Sequence, residues 1–192
     1  MHIVLVNFKL RHICVFSIKK LMKSKENIVF LGMMGSGKSS IGYLFSKKLN
    51  LDFFDIDKII ELETGMKVTK IFEIKGEKFF REIEEKITLK ILKKKKVVVS
   101  LGGGAFLNLS IRKEVLDNHI SFWLKLNSDT IINRIKNKSN RPIAKNLTKN
   151  ELINLIKKRS NIYAKALYKV KCDNLRKNEV IEKILNIYEA HK

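Results

Sequence analysis

Residues 32–39 read GMMGSGKS and lie between a short apolar run, 27–31, and an amphipathic stretch, 38–49. Few folds accept that combination. A strand that turns through a glycine-rich loop into a helix is the phosphate-binding pattern G-x-x-x-x-G-K-[ST] in its required context. The residue types follow from the task. Glycines let successive backbone N–H groups turn inward around phosphate oxygens, and the helix that follows presents the positive end of its dipole. Lys38 is expected to reach the β- and γ-phosphates of ATP, and Ser39 to give its hydroxyl to Mg²⁺. Gly35, Ser36, Gly37 and Ser40 complete the expected cradle. A glycine turn that merely joined strand to helix would explain neither the Lys-Ser pair nor the second internal glycine.

The rest of the chain keeps the alternation. Apolar runs predict strands at 53–57, 97–101, 121–126 and 168–172, and helical periodicity appears at 58–64, 76–93, 129–136, 150–166 and 178–188. Strands alternating with helices imply a parallel sheet covered on both faces, with ligands at the strands' carboxyl ends. A chain of 192 residues suits one such unit. The expected architecture is a three-layer α/β/α fold around a five-stranded parallel sheet. A polar stretch, 137–150, is long for a plain connection and is expected to be a mobile lid over the site.

Composition narrows the partners. Lys and Arg outnumber Asp and Glu by 40 to 19, for a net charge of +21. The basic residues are mostly lysines scattered among Ile and Asn, without the aromatic-spaced arginines of an RNA-recognition surface, so they read as solvated faces. Cys14 and Cys172 stand far apart with no companions at metal-ligand spacing, which speaks against a zinc site or a disulfide framework. No apolar run approaches the ~20 residues that span a bilayer. In residues 1–25 an apolar run precedes the basic residues, the reverse of a secretory signal. That segment is expected to be a dispensable basic extension, with Met22 an alternative start, ahead of a single domain over 26–192. No guanine-reading Asn-Lys-x-Asp motif is present, and a motor would need a larger chain. A small kinase is what remains.

Asp55 and Asp57 close the second predicted strand, on one side of it by period-two alternation. Phosphoryl transfer needs oxygen ligands for Mg²⁺ and a carboxylate to orient or deprotonate the attacking hydroxyl, and one aspartate can serve each need. Asp is also a favoured helix N-cap, which leaves a capping role open for the same pair. Further on, Gly102, Gly103 and Gly104 follow a buried strand, and three glycines there suggest close approach to the backbone.

Taken in order, these features resemble the shikimate kinase family. The chain carries the phosphate loop GMMGSGKS and D-x-D at Asp55 and Asp57. It goes on to Phe80-Arg81-Glu82 with Glu84 and Glu85, the triple glycine, Arg141-Pro142, and Arg159 ahead of Tyr163. The resemblance covers all but about the first 25 residues, and D-x-D, F-R-x-x-E and the triple glycine are far more specific to it than the phosphate loop. It implies phosphorylation of the 3-hydroxyl of shikimate by ATP. On that likeness Asp57 holds the acceptor hydroxyls and acts as base, and Asp55 supports Mg²⁺ through water. Arg81 and Arg159 grip the substrate carboxylate, with the N–H of Gly103 at the same pocket. Arginine suits that task because its planar fork pairs a carboxylate bidentately. For Arg81, an ion pair on the helix surface with Glu84 or Glu85 is the competing account. Arg141 is implied to be the lid's working residue, neutralising charge on the transferred group, and Arg134 and Arg176 to border the adenine. The outer parts depart from the family pattern: no glycine precedes Arg141, Ile143-Ala144 replaces two leucines, and the usual proline after Arg176 is missing.

A gluconate-type sugar-acid kinase is the nearest rival, and it should lack the carboxylate grip. A nucleoside-monophosphate kinase should carry more arginines in its acceptor pocket. A nucleic-acid-binding module would not place paired aspartates in its cleft. The expected partners are therefore ATP with Mg²⁺ and shikimate, with no nucleic acid and no membrane, in a monomeric cytoplasmic protein.

Overall fold

The computed structural model describes residues 27–136 and 147–191. Five strands, β1 (Ile28–Leu31), β2 (Asp52–Asp55), β3 (Val97–Ser100), β4 (Ile120–Lys125) and β5 (Tyr168–Lys171), form one sheet in the order β2-β3-β1-β4-β5. Every pairing is parallel. Among the described residues, seven α-helices connect or follow them: α1 (Lys38–Leu49), α2 (Ile56–Thr64), α3 (Val68–Leu92), α4 (Leu109–Asn118), α5 (Ser128–Lys136), α6 (Lys149–Tyr163) and α7 (Lys177–His191). The expected three-layer architecture is present. Right-handed crossovers put α1, which steps from β1 out to β2, on the face opposite the connections that step back toward β5. The helix α7 returns to pack against α1, and α3 packs against α4.

The central strands explain themselves. β1 (IVFL) and the Val97–Val99 part of β3 are buried along their whole length, as befits parallel strands covered on both sides. Phe30 of β1 stacks on Phe122 of β4 at 5.8 Å and meets Phe45 of α1 edge-on at 5.5 Å. The amino-terminal end of the central strands is closed by Asn27, which is fully buried. Its Nδ2 donates to the carbonyls of Leu92 and Lys94 at 2.9 and 2.7 Å, and its Oδ1 accepts from the N–H of Val97 at 3.2 Å. One amide thus ties the start of β1 to the end of α3 and the start of β3.

Four local expectations change. Asp57 is not a strand residue. β2 stops at Asp55, whose side chain caps α2 by accepting from the N–H of Lys58 at 3.3 Å, so the chain is already helical at Ile56 and Asp57 lies in the first helical turn. A helical segment the sequence reading did not predict, 68–75, precedes the helix expected from 76, and the non-helical Gly76 (φ 81°, ψ 170°) separates the two within α3. The stretch between the triple glycine and β4, left without a helix by the sequence reading, forms a short 3₁₀ turn over Ala105–Leu107 and then α4, capped by Asn108. The helix predicted over 150–166 ends at Tyr163 and begins with a capping box between Thr148 and Glu151. Residues 137–146, with Arg141 and most of the expected lid, lie outside the described residues, as does the basic extension.

The Asn27 bridge has a measurable weight. Asn27→Ala leaves a buried N–H and two carbonyls without their partner and is expected to lower unfolding free energy by about 3 kcal/mol. Urea unfolding followed by far-UV circular dichroism measures it.

Candidate active site

β1 and β3 are neighbours in register, with Phe30 opposite Ser100, and the N–H of Leu101 extends the ladder by donating to the carbonyl of Phe30 at 3.0 Å. β1 then passes into Gly32, and β3, after Leu101, into Gly102. This is the crevice beyond the carboxyl ends where a sheet of this kind takes its ligands.

On the β1 side the phosphate loop enters α1 through Gly35 (φ 80°) and Gly37 (φ 94°), conformations that side chains oppose. Lys38 is 8% exposed and donates from Nζ to the carbonyls of Gly32 and Met33, both at 3.0 Å. Its ammonium is held inside the loop. The hydroxyl of Ser36 is buried with no hydrogen-bond partner among the described residues. Beside a helix N-terminus, such a hydroxyl fits a phosphate oxygen.

Gly35, Ser36, Gly37, Lys38, Ser39 and Ser40 line a cavity of about 520 Å³ together with Asp55 and Asp57. The two aspartates and the phosphate loop therefore share one space, as the sequence reading requires. Asp55 also stands opposite Ser100 in the β2–β3 register. Among the described residues no three His, Cys, Asp or Glu side chains converge on a metal position. The oxygen donors that line the cavity, the carboxylates of Asp55 and Asp57 and the hydroxyl of Ser39, are of the kind Mg²⁺ takes, since it dehydrates reluctantly and is usually held by one or two carboxylates, waters and substrate phosphates.

The remaining wall differs in detail from expectation. Arg134 lines the cavity and donates from Nη1 to the carbonyl of Gly35 at 3.2 Å, fastening the phosphate loop. Arg176 is exposed, its N–H accepted by Glu179 Oε2 at 2.5 Å, and it is not among the lining residues. Its neighbours Leu175 and Lys177 are, along with Cys172. Burial pushes the Cys172 thiol up to about 11, with the charge of Asp173 adding to it, so Cys172 is an uncharged part of the wall. The sequence reading set it aside as an idle thiol. Its position just past β5 was the one available signal, since strand carboxyl ends face the ligand.

From Asp57 a polar crevice continues along the triple glycine. A Cβ at Gly102 would lie 2.8 Å from Asp57 Oδ1 and overlap Glu84 Oε1, so both carboxylates crowd the bare Cα. A Cβ at Gly104 would come within 2.6 Å of Arg81 Nη2. These glycines are demanded by space. Arg159 is only 5% exposed despite its lysine-rich helix, and its Nη1 donates to the carbonyl of Gly103 at 3.2 Å. Arg81 and Arg159 thus converge on the triplet from α3 and α6. The competing account of Arg81, an ion pair with Glu84, is present in the structure: the guanidinium donates to Glu84 at 2.5 Å and to Glu77 at 3.0 and 3.1 Å while lying against Gly104.

Glu84 is the residue whose weight the sequence understated. It was a possible surface ion-pair partner three residues from Arg81, yet it is 2% exposed, and its Oε1 has no hydrogen-bond partner among the described residues. Burial pushes its carboxyl up from an ordinary 4.5 to about 7, Asp57 adds to the rise, and Arg81 and Arg159 oppose it. Arg81 keeps its charge: burial works against it, and Glu84 and Glu77 hold it above its ordinary value.

The fold and the site define a phosphate-loop kinase of small molecules. Comparison with known proteins agrees and goes further. The shikimate kinase family model matches residues 34–189. A shikimate kinase of Sulfurihydrogenibium sp. is 39% identical over 160 residues, spanning 83% of this chain and 96% of the relative. One from Thermodesulfovibrio yellowstonii is 39% identical over 85% of this chain and 95% of its own. Among solved structures, the shikimate kinase from Acinetobacter baumannii in complex with shikimate superposes with a TM-score of 0.83 at 28% identity, covering 91% of this chain and 98% of the other. The chain belongs to the shikimate kinase family.

The raised Glu84 carboxyl gives a pH signature. The folded state binds the extra proton between pH 4.5 and about 7, so stability from this group is complete below 4.5 and is lost as pH rises through 7. Relative to Glu84→Gln, the wild type is expected to lose up to roughly 3 kcal/mol of stability across that window. Urea midpoints of both proteins at pH 5 and pH 8, without ligands, measure the difference in slope.

Proposed function

We propose that the protein transfers the terminal phosphoryl group of ATP to the 3-hydroxyl of shikimate, yielding shikimate 3-phosphate and ADP in the route to chorismate and the aromatic amino acids. The observation that carries this reading is the convergence of Arg81 and Arg159 on Gly103 and Gly104, with Asp57 and Glu84 crowding Gly102 beside them. That end of the crevice suits an acid, and Asp57 joins it to the cavity that holds Lys38. The solved relative from Acinetobacter baumannii, crystallised with shikimate, supports the choice of acid.

In this reading Gly35, Ser36, Gly37, Lys38, Ser39 and Ser40 bind the triphosphate through backbone N–H groups, the lysine charge and serine hydroxyls. Arg134, Leu175, Lys177 and Cys172 bound the nucleotide from the other side, and Arg176 stays at its margin. Arg81 and Arg159 take the acceptor's carboxylate, aided by the N–H of Gly103. That anchor fixes the 3-hydroxyl against Asp57, whose carboxylate takes the hydroxyl proton as the oxygen attacks the γ-phosphorus and the bond to the β-phosphate oxygen breaks. Ser39 and Asp55 would hold Mg²⁺, which supplies charge neutralisation between the β- and γ-phosphates. Arg141, outside the described residues, is assigned to the lid, where its charge would offset that of the group in flight and closure would exclude water. The proposed working unit is a monomer. No helix among the described residues is long and apolar enough to cross a membrane, and the proposed location is the cytoplasm.

A coupled assay of ADP formation tests the reading with shikimate, gluconate and no acceptor. Shikimate alone is expected to drive turnover, and faster ADP release with gluconate would replace it by the sugar-acid kinase reading. Asp57→Asn is expected to lower kcat by about 100-fold or more while leaving ATP affinity near the wild-type value. Equal loss of both, read by steady-state kinetics and nucleotide titration, would remove Asp57 from the role of base.

A further inference from the structure

Tyr163 is 1% exposed, and no step of the transfer described above uses it. It follows Arg159 by one turn of α6, so both side chains leave the same face of the helix. Both meet one atom. The hydroxyl of Tyr163 and Nη1 of Arg159 each donate to the carbonyl oxygen of Gly103, the arginine at 3.2 Å. The same hydroxyl lies 3.8 Å from Met33 Sδ in the phosphate loop, and the ring lies 6.1 Å from that of Trp123.

Three consecutive glycines have no side chains with which to hold themselves, and glycine has more backbone freedom to lose than any other residue. Such a loop keeps one shape only when groups outside it bond its peptides. The carbonyls of Gly102 and Gly104 accept from the N–H groups of Ala105 and Leu107 in the turn that follows, at 3.2 and 2.9 Å, whereas the Gly103 carbonyl is bonded from α6, and Gly103 is the residue whose N–H is assigned to the acceptor's carboxylate. Burial raises the Tyr163 hydroxyl to about 12, with Arg159 and then Arg81 pulling against it. It therefore stays an O–H donor across the neutral range.

We propose that Tyr163 is a positioning residue for carboxylate recognition: its hydroxyl locks the Gly103 carbonyl in place beside Arg159, so that the Gly103 N–H and the guanidinium address one carboxylate together. The inference rests on the acceptor assignment made above. It adds a residue that touches neither substrate.

Tyr163→Phe tests it, because the ring stays packed while the donor is lost. The expected result is a rise of about 3- to 10-fold in KM for shikimate, the worth of one hydrogen bond, with KM for ATP changed by less than about twofold. Shikimate methyl ester supplies the second arm. The ester cannot use the full carboxylate grip, so the preference for acid over ester in kcat/KM is expected to shrink in the variant by the same factor as shikimate binding weakens. A folded variant with an unchanged acid-to-ester preference would overturn the proposal and leave the acceptor assignment standing. So would parallel rises in KM for both substrates, or loss of cooperative unfolding, since each is the mark of a purely structural tyrosine. Failure of the wild type to turn over shikimate would instead remove the acceptor assignment, and this inference with it.

Discussion

Two adjacent strands end at one level and both run into glycine, and the polar half of the molecule is arranged around that coincidence. The N–H of Leu101 bonded to the carbonyl of Phe30 holds β1 and β3 together up to their last residues. Beyond that point glycine backbone lines the gap between them, with Met34 packed on Gly103 and the Tyr163 hydroxyl between Met33 and Gly103. Bare backbone at both strand ends lets ligands approach closely there. The apolar packing of Phe30, Phe45 and Phe122 below supplies the rigidity that keeps the gap from closing.

The same crowding sets the electrostatics. Asp57 and Glu84 both press against Gly102, while Arg81 and Arg159 come in from two different helices. Two carboxylates so near each other in a buried place oppose each other's charge, and burial, with Asp57 adding to it, raises the Glu84 carboxyl to about 7.

Much of this was legible in the residues. The phosphate loop needs only local context, since strand, glycines, lysine and helix are consecutive, and the alternation of apolar runs with helical periods was enough for a parallel sheet. Less was legible where two local tendencies compete. Asp55 could end a strand or cap a helix, and capping won, which moved Asp57 into a helical turn without moving it out of the cavity. The helix expected from 76 does start past Gly76, but the helical segment before it, 68–75, went unread. The polar Leu109–Asn118 segment carries only a weak apolar stripe, so α4 went unread.

By itself, then, the sequence determined the fold class, the phosphate loop and the family, because each depends on residues close together in the chain or on their order. Only the tertiary structure decided how distant residues share a space. Arg159 of a lysine-rich helix is buried because α6 packs where Gly103 leaves a carbonyl to be bonded. Glu84 became a buried carboxyl instead of a surface partner, and Cys172 became part of the cavity wall in place of Arg176. Burial and dielectric are properties of the packed whole, and no spacing along the chain encodes them.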